Sequence, residues 1–523
     1  MGLIASTARR VIATAAALAA PIATACIHNP PDVDGKPSAP RAANAFWEPP
    51  RRAVTPDSVP RSVVPSDIAD RVQRLTLPDV IDIALLNNPQ TRASYATARA
   101  AGAAIGAAYG RYLPQLSGTV TASRVGSTGG TSAITSGGTT SGATTGGTGA
   151  TGGTGAGGTV VRGGGTNNFV QPSASASWLL FDFGRSSSFE VARQGAFAAS
   201  YTHNSTLQAV VLAVEQAYFN YNSAKAVRDG DVQTEREDSA NLAAAKARHD
   251  AGVATISDVL QAQTTLSQAS LTLETDQGNV QTTRGALAVA LGFPANLPYD
   301  IAPEPPDVPI QGIAESVDTL VNVAVRSRPD LASYRAQARE AAANVGVIKG
   351  QGLPDLFLSG ATSHTFAQKS SLEGSTYSAL VGLSFPVFQG FTNSYDILQA
   401  REQAKASAAN AEYQRDQVVY QVFSSYYNLR TATARVKSAD DLLSSAQASY
   451  DVSIGKYRQG VGSILDVLTA QAALASARSQ QAAARWTWYS SLAQLSHDAG
   501  VLGLHGEPQL RLSTDSSATP PPP

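Results

Sequence analysis

The sequence predicts a mixed α/β membrane protein made from a duplicated unit, in which each copy joins a pair of membrane-spanning β-strands to long helices. Three observations carry this. A tight-turn motif occurs twice at a fixed offset. Alanine-rich segments with heptad spacing flank it. In each copy, two further segments switch to an apolar period of two.

The turn motif runs from Arg248 to Gln263 and returns as Tyr457 to Gln471, with 208 residues between Gly252 and Gly460 and between Asp258 and Asp466. A repeat this long is a whole structural unit, not a solenoid module of ~20–50 residues. Asn88-Pro89 returns as Arg328-Pro329, and Leu113-Pro114 as Leu353-Pro354, both at an offset of 240.

Composition narrows the function classes. Of 523 residues only 15% are charged and the net charge is −1, which gives no electrostatic footprint for nucleic acid. No run of about 20 apolar residues follows the N-terminus, so no helical span is expected. Residues 1–25 read as an export signal: Arg9 and Arg10, an apolar stretch from Val11 to Ile22, then Ala23-Thr24-Ala25. Cys26 is the only cysteine, which excludes an internal disulfide. It is either the lipidated first residue of a lipoprotein or an ordinary first residue after cleavage; one acyl chain anchors only marginally. Residues 26–75 are proline-rich and should run extended, either as a disordered leader or as a strap pinned by Phe46 and Trp47. The tail over 501–523 is expected to be disordered.

The first unit spans 76–300. Leu77, Val80, Ile81, Ala84 and Leu85 recur at helical spacing, and Pro89 suits the first position of a second helix ending near Gly110. Strands are expected over 114–124 and 169–181, where Leu116, Gly118, Val120 and Ala122 alternate with hydroxyl residues, as do Ala174, Ala176, Trp178 and Leu180. The Gly/Thr/Ser stretch from Gly126 to Asn168 reads as a flexible outer loop. Its Gly153–Gly158 run formally matches GxGxxG, but no helix follows it, so it offers no dinucleotide site. A long helix over 185–250 carries the seam Leu207, Val210, Val214, Ala217, Tyr221 and Ala224, whose heptad spacing implies coiled-coil-like packing. A tip turn at 251–257 leads into a helix over 255–291.

After a linker at 301–316 the second unit spans 317–500. It repeats the helices and places strands over 354–365 and 376–387, with Leu380 breaking the alternation. Its long helix covers 391–457 with the seam Val418, Val422, Ser425, Leu429 and Ala432, its tip turn 458–464 and its last helix 463–499. In each copy the helix before the strands and the helix after the tip together match the long helix in length, so the two shorter pieces can stack end to end beside it.

Strands of ~10 residues with one apolar and one small polar face mark a transmembrane barrel; a water-soluble hairpin with one buried face is the competing reading. Tyr109, Tyr112, Trp178, Phe181 and Phe183 cluster at the helix-proximal end of the first pair, and Phe385 and Phe388 at that of the second. Rings at one level fit a membrane interface. Four strands cannot close, and an open edge in lipid costs several kcal/mol for each unpaired group. Closure therefore needs more chains; eight strands give a filled barrel and larger ones leave a passage. A surface coiled-coil adhesin is the alternative of another class.

At the tips, Gly252 and Gly460 are expected at positive φ. Thr255 with Asp258 and Ser463 with Asp466 form capping boxes, aspartate replacing glutamate, and an acid in the first turn stabilises a helix by ~0.3–1 kcal/mol. The six histidines are scattered without metal-like spacing and no phosphate loop occurs. No enzyme activity, cofactor or metal is expected.

The duplicated unit, the paired Asn-Pro/Arg-Pro and Leu-Pro signals and the two Gly-Val…Asp-Val-Leu…Ala-Gln turns resemble the TolC-like outer membrane efflux family, the outer membrane factors, over about Leu75 to Gly500. The resemblance implies a homotrimer. Four strands per chain would complete a 12-stranded barrel in outer membrane lipid, continued by a long antiparallel α-helical barrel through the periplasm. It implies the exit duct of a tripartite efflux system, coupled to an inner-membrane pump through a periplasmic adaptor protein, or alternatively the exit duct of type I protein secretion. By the same resemblance, Asp466 joins an acidic ring at the periplasmic gate, Asp258 helps tie the closed state, and Tyr457 bonds to that first-copy acid. Gly252, Val253, Gly460 and Val461 would face the adaptor. Gly462 stands where the best-known member has a gating arginine, and Thr469 where it has a second ring acid.

Overall fold

The computed structural model describes residues 32–33, 36–40, 42–47, 75–127, 132–134, 159–161, 165–296, 299–302, 316–367 and 373–502. The export signal, Cys26, residues 303–315 of the linker, most of the Gly/Thr-rich loop with its GxGxxG run, and the tail from 503 lie outside them. In chain order the elements are β1 (Asp32–Val33), β2 (Lys36–Pro37), α1 (Leu77–Asn87), α2 (Pro89–Gly110), β3 (Gln115–Ser127), β4 (Ser132–Ile134), β5 (Thr159–Val161), β6 (Gly165–Phe181), α3 (Arg185–Asp250) and α4 (Ile256–Ala290), followed by α5 (Val317–Ser327), α6 (Pro329–Gly350), β7 (Asp355–Ala367), β8 (Gly374–Ser384), α7 (Thr392–Arg458) and α8 (Ile464–Asp498).

Two compact units result, and each draws on both copies of the repeat: one comprises 104–192 with 339–404, the other the remaining chain. Strand pairing explains why the units cut across the copies. The four-stranded antiparallel sheet has the order β3-β6-β7-β8, so the last strand of copy one bonds to the first strand of copy two.

In the sheet unit, β3 pairs β6 from Gln115↔Ser177 to Ser127↔Gly165, and β7 pairs β8 from Asp355↔Ser384 to Thr365↔Gly374. Strand therefore extends into the expected loop at both ends, and the short pair β4–β5 forms inside it; the β-branched Ile134, Thr159, Val160 and Val161 supply the propensity that low complexity obscures. β8 stops at Ser384, three residues before the expected end, because Pro386 has no N–H for the ladder. Pro172 lies within β6, and the β6–β7 ladder passes from Val170 to Ser173.

In the helical unit both proline signals open helices: Pro89 starts α2 and Pro329 starts α6. α3 and α7 have 66 and 67 residues, about 100 Å each at ~1.5 Å per residue; α4 and α8 have 35 each. The shorter helices meet end to end. Asn88 Nδ2 donates to the Ala290 carbonyl at 3.0 Å, and Arg328 Nη1 to the Asp498 carbonyl at 3.3 Å. Each bond satisfies a carbonyl at a helix C-terminus that has no intrahelical partner. The predicted seams are buried. Leu207, Val210, Val214 and Tyr221 pack in one core with α1, α4 and Tyr299; Val418, Val422, Leu429 and Ala432 pack in another with Leu320, Leu331 and Trp488.

The proline-rich segment is a strap where it is described. Trp47 is buried against Phe197, with ring centroids 5.3 Å apart, and stands edge-on to Tyr201. Its backbone N–H donates to Asn204 Oδ1 at 2.7 Å, while Asn204 Nδ2 donates back to the Trp47 carbonyl. Phe46 packs against the first core. His203 Nε2 lies 3.2 Å from the Ala45 carbonyl and Nδ1 lies 2.8 Å from Ser94 Oγ. Both contacts are satisfied when Nε2–H donates to Ala45 and Nδ1 accepts from Ser94. Burial pushes the imidazole pKa down to about 4, which keeps that neutral form.

Candidate functional site

The two tip turns are built alike. The helices α3 and α7 end in Schellman motifs: Val253 N–H donates to the Arg248 carbonyl and Gly252 N–H to that of His249, as Val461 does to Lys456 and Gly460 to Tyr457. Gly252 and Gly460 have φ of 74° and 77°, and a Cβ at either would meet no atom closer than 3.7 Å. Backbone conformation alone selects glycine there.

The next helices start with reciprocal caps. Asp258 N–H donates to Thr255 Oγ1 at 3.3 Å, and Thr255 N–H to Asp258 Oδ2 at 3.0 Å. Asp466 N–H donates to Ser463 Oγ at 3.2 Å, and Ser463 N–H to Asp466 Oδ2 at 3.2 Å. Hydrogen bonds from the Ser463 side chain and backbone hold the exposed Asp466 carboxyl below the usual carboxylate range. Both acids stay solvent-facing and each keeps a second carboxylate oxygen for other use.

Tyr457 does not make the bond that the resemblance implies. Its ring is buried, its hydroxyl has no hydrogen-bond partner among the described residues, and Asp258 is engaged by Thr255. Arg248 takes the place of that bond: its Nη1 donates to the Tyr457 carbonyl at 2.7 Å and its guanidinium lies 4.4 Å from the ring centroid. Gly462 has no room for a longer residue, because a Cβ there would stand 2.9 Å from Lys456 Cβ.

Two further ties join α3 to the second copy's hairpin. Asn241 Nδ2 donates to Gln471 Oε1. Arg478 clasps Glu237 through both nitrogens at 3.1 and 3.2 Å and reaches Gln447 at 3.4 Å. Glu237, Asn241 and Arg248 fall on one face of α3, as spacings of four and seven require. These pairings leave no signature in residue order. Arg248 opens the repeated motif, but its partner is 209 residues away.

The tips differ in cover. Ile256 is 56% exposed and its counterpart Ile464 4%; Leu260 and Leu468 differ likewise. Ile464, Val467 and Leu468 are sealed by Tyr457, Tyr450 and Ile454. Val253 and Val461 are both prominent knobs, at 71% and 74%. Beside them Leu260, Gln261 and Thr264 of α4 face Leu465, Leu468 and Thr469 of α8 across an open cleft of about 560 Å³.

Of the interface aromatics, Tyr109, Trp178, Phe181, Phe183, Phe385 and Phe388 are exposed in the single chain. Tyr112 is not. It is buried, with the Arg185 guanidinium 4.4 Å over its ring and the Trp178 indole donating to its carbonyl at 3.0 Å. A ring held beneath a cation inside the fold cannot face lipid.

A family model described as outer membrane efflux protein matches residues 80–293 and 320–501. The chain belongs to the outer membrane efflux protein family. It is 27% identical over 420 residues to Protein CyaE of Bordetella pertussis, covering 78% of this chain and 81% of that protein. It is 30% identical over 232 residues to the outer membrane efflux protein BepC of Brucella suis, covering 44% of this chain and 49% of the relative. Its fold is that of solved outer membrane channels. The Campylobacter jejuni CmeC channel superposes with a TM-score of 0.65 at 17% identity, over 86% of this chain and 90% of that one. The chain is therefore an efflux channel protein of mixed α/β fold, and the adhesin reading falls away.

Proposed function

We propose that three copies of this chain form the exit duct of a tripartite efflux system in the cell outer membrane, reaching into the periplasm, with no catalysis of its own. The observation that carries this is the open sheet. β3 and β8 are its edges, and one face bears Leu116, Val120, Trp178, Leu358, Val381 and Leu383. Unpaired edge groups in lipid cost several kcal/mol each, so the sheet must close on copies of itself; three copies give twelve strands, enough to leave a passage. No helix among the described residues is apolar enough to span a membrane, which leaves the strands as the membrane part.

The tip is the gate in this reading. Asp258 and Asp466 place carboxylates at the entrance, and Arg248 on Tyr457 ties copy one to copy two. The knobs Val253 and Val461, the turns at Gly252 and Gly460 and the adjacent cleft are the docking surface for a periplasmic adaptor that links the duct to an inner-membrane pump. Purified protein should run as a trimer and form pores in planar bilayers, and a photo-crosslinker at Val461 should capture an adaptor in cells. A monomer without conductance overturns the duct. Pores with no adaptor adduct overturn the docking surface alone.

A further inference from the structure

The sheet's second face is mostly hydroxylic. Its rows follow from the register: Ser117–Ser175–Ala361–Ser378 and Thr119–Ser173–Ser363–Thr376. Hydroxyls along these rows bond to one another, Ser117 to Ser175 at 2.8 Å, Thr119 to Ser173 at 2.7 Å and Ser363 to Thr376 at 2.7 Å. From the row of Ser123 and Phe169 to that of Phe357 none of the described residues of this face is ionisable, and Asp355, opposite Ser384, stands on the same face two residues beyond Phe357.

Phe169 interrupts it at the far end, and three further apolar side chains do so together near the other end. Leu179 and Phe357 are direct register partners, and Phe357 also pairs with Gly382 on β8. Leu380, two residues from Gly382, shares the face and is the diagonal neighbour of Phe357, within reach of long side chains. Lipid accounts for the opposite face and does not account for these three. The Phe357 ring lies over Gly382, where an added Cβ would be 2.4 Å from its Cζ; the ring thus rests against the sheet and turns its other side outward. Leu380 is 43% exposed in the single chain. Beyond Leu179 a bulge resets the β6 register before Phe181, so this level is the last regular row of the β6–β7 pair, while β7 and β8 stay paired to Asp355 and Ser384.

Given the duct reading above, which turns the polar face toward the passage, we propose that Leu179, Phe357 and Leu380 form a subsite for the apolar part of an organic substrate. Hydroxyls lie beside it for neutral polar groups. It takes aromatic or branched alkyl groups. Burial of apolar surface supplies the attraction.

The test uses the full-length protein in planar bilayers, with benzyltrimethylammonium and tetramethylammonium as blockers of equal charge. The benzyl compound should block at a lower concentration. Phe357→Ser and Leu380→Ser should each raise its half-blocking concentration about tenfold, equivalent to ~1.4 kcal/mol, and leave that of tetramethylammonium unchanged. Leu380→Phe should lower it. Leu380 is exposed enough that its variants keep the fold. Equal block by the two compounds in the unaltered channel, or unaltered benzyl block in the Leu380 variants, overturns the subsite while leaving the duct intact. Absence of any pore overturns both.

Discussion

Arg248→Gln is the perturbation that separates the tie seen at the tip from the one that family resemblance implies. The substitution removes a charged hydrogen bond to the Tyr457 carbonyl, made at 2.7 Å, and a guanidinium 4.4 Å from the Tyr457 ring. A hydrogen bond to a charged group contributes ~1.5–3 kcal/mol, and a partly exposed cation–π contact ~0.5–1 kcal/mol. Together they come to ~2–4 kcal/mol. If the tie exists only while the tip is closed, its loss shifts the closed-to-open ratio by that amount, a factor of roughly 30 to 1000 at tenfold per ~1.4 kcal/mol. Single-channel recording should show that rise as open probability, with the trimer unchanged in gel filtration. Tyr457→Phe is the control. It deletes a buried hydroxyl that has no partner among the described residues and keeps both Arg248 contacts, so gating should stay put. Opening by Tyr457→Phe with none by Arg248→Gln would refute this account and reinstate a bond from Tyr457 to Asp258.

Glu215 is buried with a carboxylate oxygen that has no partner among the described residues, and burial raises its pKa to about 8. A raised carboxyl pKa leaves the folded state unburdened below about pH 4.5 and costs stability as pH rises toward 8. Glu215→Gln should therefore be more stable than the parent by a margin that grows from pH 5 to pH 8 by on the order of 3 kcal/mol; a margin flat with pH in thermal melts refutes it. Trp47→Ala should cost ~3–5 kcal/mol of local packing and expose the strap to limited proteolysis. Acid should release the strap too, because His203 contributes its stability above pH 6.5 and loses it as pH falls toward 4; protease resistance unchanged at pH 4 counts against that. Ile464→Ala should destabilise the second tip by ~2–5 kcal/mol, whereas Ile256→Ala should stay within about 0.5 kcal/mol in melts of the single chain.

Most of the scaffold could be read from residue order because local physics dictates it. Pro89 and Pro329 open helices since they need no N–H there, the Val and Leu seams recur at heptad spacing, and alternation in Leu116–Ala122 identifies a strand. What stayed hidden depends on chain segments far apart in sequence. Nothing near Tyr112 signals that Arg185 will cover it, and nothing near Asn204 signals that Trp47 will bond to it. Leu380 was visible as a break in alternation, but its meaning needed the register that sets it diagonal to Phe357 and Leu179.

The two tips show how the same local code yields two environments. Thr255-Ile256 and Ser463-Ile464 begin equivalent caps, and in both Asp-Val-Leu follows after one intervening residue. The preceding helix decides the rest. Copy two has Ile454 and Tyr457 one turn apart, which cover Ile464 and Leu468. At the same places, 208 residues earlier, copy one has Lys246 and His249. Charged and polar side chains do not seal apolar neighbours, so Ile256 and Leu260 remain outside. Two equal turns thus differ in cover because α3 and α7 differ at these positions, and the first tip keeps an exposed apolar face.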